Sequence, residues 1–233
     1  MRGLPIGEGQ VWRDPAMRRW LVLLAAVAMA PFFALLLPAT GLISYGAYDA
    51  WIVAPALGVI AGGAWVTFRR HRPLFHRLAV GFGAGWAGVL AYDLFHLLIA
   101  ADGSFGAGLP VWSGVGRFAS EGAWIPAYFH HWITMGALWG AAYALVAGKA
   151  RWLWGVAFGL AMWANAVTFS LFLPFGGPFV PGAGPAAMTM LLIGTLIFGT
   201  VLGLLNARFQ PVDRYHGKIV FLRDYQARVR SRR

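Results

Sequence analysis

The chain has 233 residues, 59% of them hydrophobic and only 12% charged, with a formal net charge of +11 and no cysteine. A soluble domain carries roughly a quarter of its residues as charged groups, so this balance excludes an ordinary water-soluble globule and fits a polytopic helical membrane protein. The lack of cysteine excludes disulfides, thiolate metal sites, iron–sulfur ligation and a cysteine nucleophile; the cations sit in short segments between apolar runs, where they set membrane orientation rather than form a nucleic-acid surface.

A membrane-spanning helix needs about 20 mostly apolar residues to cross about 30 Å of hydrocarbon. In chain order the stretches that qualify are Trp20 to Pro38, Ala47 to Phe68, Leu78 to Ala101, Ile125 to Val146, Trp152 to Leu173 and Pro185 to Leu205. The first follows several arginines, as a secretory signal would, but its length favours a retained helix. Basic residues then alternate with the spans. Arg2, Arg13, Arg18 and Arg19 precede the first; Arg69, Arg70, Arg72 and Arg77 separate the second and third; Lys149 and Arg151 separate the fourth and fifth; Arg208 opens a basic tail, and only Arg117 falls on the other side.

Since Lys and Arg collect in cytoplasmic loops, the expected fold is all-α with six transmembrane helices and both termini cytoplasmic, in a bacterial inner membrane. It divides into a basic segment 1–19, a helical membrane domain 20–207 and a basic tail 208–233. The Gly- and Ser-rich segment Asp102 to Trp124 is the longest external loop.

Small residues four apart recur on the last four spans: Gly81 and Gly85, Gly136 and Gly140, Gly155 and Gly159, Gly199 and Gly203. Such pairs let helix backbones approach closely where lipid offers no hydrophobic drive for association. They predict a tight core of spans three to six, with the first two as a peripheral hairpin. The tail "KIVFLRDYQARVRSRR" mixes apolar and basic residues as an amphipathic helix on anionic lipid does, an acidic cytoplasmic partner being the alternative. The expected partners are the bilayer, a membrane protein or a second copy of the chain, and not nucleic acid.

Polar residues converge at one depth. Asp93 and His96 lie one turn apart in the outer half of span three, and His130 and His131 stand about a turn below the same surface on span four. Asp49 opens span two, Glu121 precedes span four, and Asn165 lies in the outer half of span five. Ionisable groups inside a membrane are costly and mark paired, sheltered or functional positions.

Asp93, His96 and His130 or His131 therefore form a candidate divalent-metal site for zinc, iron or copper, with Asp49, Tyr92, Glu121 and Asn165 as supporting groups. No HExxH pattern accompanies them. Neighbours on a helix point about 100° apart, so the two histidines cannot both face one centre; relative to Gly136 and Gly140, His130 is the expected inward member. Three other readings stay open: a network that only ties helices together, as in an accessory or structural subunit; a haem between His96 and a histidine of span four; and a proton-coupled solute path lined by Asn165, Thr168 and Ser170. Met135, Met162, Met188 and Met190 would add thioether ligands for copper but read chiefly as core residues.

The segment "HHWITMGALWGAAYALVAGKARWLWG", together with "AYDLFH", resembles the small bacterial membrane proteins of the YagU-like kind. The resemblance spans about the middle third of the chain, implies an integral inner-membrane protein, and brings no reaction or ligand with it.

Overall fold

A computed structural model describes residues 15–34, 37, 42–101, 131–172 and 185–210. These residues form helices α1 (Pro15–Ala34), α2 (Tyr45–Tyr48, Asp49–Val53 and Ala54–Arg70 in one run), α3 (Arg72–Ala101), α4 (Trp132–Leu138 continuing as Trp139–Ala147), α5 (Leu153–Phe172) and α6 (Pro185–Phe209). Four stretches, Pro15–Ala34, Gly46–Arg70, Arg72–Ile99 and Met188–Phe209, are long and apolar enough to cross a membrane, while Trp132–Ala147 and Leu153–Thr168 are shorter apolar helices. The segment with Arg117 and Glu121, His130 and the tail beyond Gln210 lie outside the described residues.

The helix ends follow local chemistry. Pro15 and Pro185 open α1 and α6, where a missing N–H costs nothing. Pro55 explains the change of winding in α2: it cannot donate to the carbonyl one α-turn back, and just before it the helix widens into a π-turn over Asp49–Val53, with the Ala54 N–H bonded to the Asp49 carbonyl. The basic stretch between spans two and three is not an extended loop. His71 alone interrupts the helix (φ −136°, ψ 60°), and α3 begins at Arg72 because Pro73 is tolerated in a first helical turn. With 30 residues, α3 is about 45 Å long, enough to carry its first turns beyond the hydrocarbon.

Helix α3 is the hub, packing against α2, α4 and α6, whereas the consecutive helices α4 and α5 scarcely touch. The glycine pairs make these crossings. A Cβ on Gly85 would run into the Gly136 carbonyl, and one on Gly140 into the Gly81 carbonyl; across α5 and α6, one on Gly155 would meet Gly199 and one on Gly203 the Trp152 carbonyl. Backbones meet where lipid cannot supply the driving force.

Helix α1 departs from the expected peripheral hairpin. Leu24 and Ala28 are fully buried, in a cluster with Ala141, Ala142 and Leu145 of α4. Tyr48 ties α2 to the end of α1 by donating to the Pro31 carbonyl, in the last described turn of α1, at 2.6 Å.

At the arginine-rich end, α4 terminates at Gly148, whose positive φ (54°) disfavours a side chain. Asn206 of α6 donates to the Gly148 carbonyl at 2.7 Å and accepts from Gln210 at 2.9 Å. The buried Arg77 reaches the Leu145 carbonyl at 3.4 Å, a cation at a helix C-terminus. Replacing Asn206 by Leu leaves the buried Gly148 carbonyl without this donor and should destabilise the bundle by about 1–3 kcal/mol, read as a lower midpoint of thermal unfolding in detergent.

Candidate functional site

The outer face of α3 and its inner face differ sharply. Leu90, Leu94 and Leu97 are 56%, 54% and 52% exposed, whereas Asp93 is 3% and His96 0% exposed. Helical spacing thus turns the apolar side chains outward and the two ionisable ones into the bundle. Gly194 of α6 makes the room: a Cβ there would strike the His96 ring and approach Tyr92 at 2.7 Å.

Asp93 faces α4. Its Oδ1 accepts from His131 Nε2 at 3.2 Å and its Oδ2 from Trp132 Nε1 at 3.0 Å. Both carboxylate oxygens are thereby bonded to N–H groups of adjacent residues on one helix, an arrangement that regular α-winding disfavours. The cause is local. From Trp132 to Leu138 α4 is π-helical, with the Trp139 N–H reaching back to the Thr134 carbonyl. Regular winding would set His131 and Gly136 about 140° apart; bonding between residues five apart brings them onto nearly one face. His131 is therefore an inward residue; His130, the expected inward member, lies outside the described residues.

His96 faces α6 and is locked. Its Nδ1 donates to the Tyr92 carbonyl at 2.8 Å; a carbonyl only accepts, so Nδ1 carries the proton and, in the neutral ring, Nε2 presents a bare lone pair. That atom is buried and has no hydrogen-bond partner among the described residues. The Tyr92 ring lies 4.3 Å from the His96 ring and 6.1 Å from the His131 ring, centroid to centroid, linking the two imidazoles.

The sequence-predicted residues thus separate. Asp93, His96, His131 and Tyr92 come together, and Trp132 joins them. Asp49 sits on the π-turn of α2, which packs against α1. Asn165 stands half-buried on α5, which packs against α6, and Thr168 is exposed with its hydroxyl returned to the Ala164 carbonyl. Met135 and Met162 are buried in the apolar cluster around Tyr92, as core residues are.

Among the described residues no group of three or more His, Asp or Glu side chains is placed to hold a metal ion. The nitrogen that a haem between facing helices would need from His131 is bonded to Asp93. A cavity of about 620 Å³ between α1, α4 and α5 is lined by apolar groups including Met29, Val146 and Phe158; Tyr143 on its wall lies eleven residues beyond Trp132, about 16 Å along α4.

Trp132 carried no sequence signal, since its role depends on a winding that apolar composition does not encode. Gly194 was equally silent, lying outside any paired-glycine pattern. Compared with known protein families, with curated proteins and with solved structures, the chain gives no match in any of the three, so its likeness to YagU-like proteins rests on the quoted motifs alone.

Proposed function

We propose that the chain is a multi-pass protein of the bacterial plasma membrane, with six spans and cytoplasmic termini, that binds a divalent transition-metal ion in the outer half of its bundle with His96 Nε2 as a ligand. The single observation that carries this reading is the His96 ring itself. Its proton is held on Nδ1 by a backbone carbonyl, and its other nitrogen is buried without a partner among the described residues. Metal-binding histidines are oriented in this way, through the ring nitrogen that does not ligate. The topology is supported by four sufficiently long apolar helices and by the alternation of arginines between spans.

Asp93 and His131 enter this site only by exchanging their mutual hydrogen bond for the ion; otherwise they hold α4 in place beside it. Imidazole with carboxylate suits zinc, iron(II) or copper, and a bound ion would supply a Lewis acid. The occupation of both Asp93 oxygens favours a second reading, in which the chain is a non-enzymatic accessory subunit and the network fixes helix register alone.

Elemental analysis of the detergent-purified protein separates the two. The metal reading expects about one ion per chain and a loss of about tenfold or more in affinity for His96→Ala, with helix content retained. Metal content that is nil, or equal in wild type and a folded His96→Ala protein, assigns the network to structure.

A further inference from the structure

We propose that the arginine rim shared by α1, α2 and α3 binds the headgroup of an anionic phospholipid, at a site separate from the basic tail and independent of the metal reading. Its geometry follows from the packing of an antiparallel pair. Leu24 of α1 lies against Gly63 of α2, and six residues further along each helix stand Arg18 and Arg69. Met17 and Leu21 share an apolar cluster with Leu74 and Leu78, which brings the first turn of α3 to the same end.

Arg18, Arg19, Arg69, Arg70 and Arg72 are all exposed there, and they have no hydrogen bond or ion pair among the described residues. The only described acidic residues are Asp49 and Asp93. Asp49, on the π-turn of α2, lies twenty residues from Arg69, and Asp93 lies twenty-one residues from Arg72, each about 30 Å away along its helix. Among the described residues the rim is therefore a concentration of positive charge with no carboxylate beside it; Asp14, which precedes α1, lies outside them.

The surface next to it decides what kind of anion fits. Trp65 and Phe68 are 62% and 45% exposed directly beside the arginines, and the Arg69 guanidinium stands 4.7 Å over the Trp65 ring. That stack directs a cation along the boundary between apolar and polar surface. A soluble anion needs only the charge. A phospholipid needs both parts, with phosphate on the guanidinium groups and acyl chain along Phe68 and Trp65. Orientation by the positive-inside tendency explains why basic residues are on this side, but not their convergence from three helices above an exposed aromatic band.

Native mass spectrometry of the full chain in neutral detergent, titrated with phosphatidylglycerol or phosphatidylcholine, tests this without involving membrane orientation. The anionic lipid is expected to bind at about tenfold lower concentration or better, the preference should shrink as salt is raised, and R69Q/R70Q/R72Q should lose it. A variant that fails to fold leaves the salt titration and lipid comparison on the wild-type chain to decide. Equal binding of the two lipids, a salt-independent preference, or an unchanged preference in the folded triple variant would overturn the proposal. Displacement of bound lipid by free glycerol phosphate would also do so, by making this a soluble-anion site.

Discussion

Gly85→Val is expected to be the most damaging single substitution in the membrane domain. A Cβ at this position meets the Gly136 carbonyl and comes within 2.9 Å of the Gly140 Cα. Neither neighbour is the end of a flexible side chain, so relief requires α3 and α4 to separate, and with them the bonds from Asp93 to His131 and Trp132. Overpacking that side chains can absorb costs about 1–3 kcal/mol, and a clash with backbone belongs at or above the top of that range. Gly83→Val is the matched control. It lies two residues away on the same helix, and nothing lies within 4 Å of its Cβ position, so its effect should stay within about 0.5 kcal/mol. Thermal unfolding in detergent, followed by circular dichroism, should separate the two variants clearly; similar midpoints would mean that α3 and α4 do not cross at their glycines.

Asp93→Ala should follow in severity. It removes the acceptor of two N–H groups, from His131 and Trp132. Leaving a buried donor without a partner costs about 1–3 kcal/mol, although hydrogen bonds between membrane helices average only about 0.6 kcal/mol, because the alternative state also finds partners. A net loss of about 2 kcal/mol balances these two magnitudes. Asp93→Asn keeps one acceptor oxygen and should recover part of the loss in the same unfolding measurement, whereas equal loss in both would tie the effect to charge.

The glycine crossings were legible because, in lipid, small residues at helical spacing are among the few devices that bring backbones together, and a sequence displays them openly. Asp93 and His96 were legible for a related reason: an ionisable group within an apolar run must turn inward. The partner on α4 was not. Whether His130 or His131 faces α3 depends on the winding of Trp132–Leu138, and no proline marks that π-turn as Pro55 marks the one in α2. The place of α1 was hidden in the same way, since Ala25, Ala28, Ala141 and Ala142, which lie in one buried cluster, are of the commonest apolar residue type in the chain. Pattern reveals a device when its residue type is unusual for its surroundings; it says little when the device is a change of backbone winding or a run of alanines.

The junction of α3 with α4 underlies the candidate site, and a double-mutant cycle on Asp93 and Trp132 tests it most directly. Asp93→Ala, Trp132→Phe and the double variant are unfolded under one set of conditions, and their losses are compared. A bond between the two side chains predicts a coupling of about 1 kcal/mol, inside the range of up to about 1.7 kcal/mol for such contacts between membrane helices. Losses that simply add, within about 0.3–0.5 kcal/mol, would contradict it and would separate Asp93 from α4.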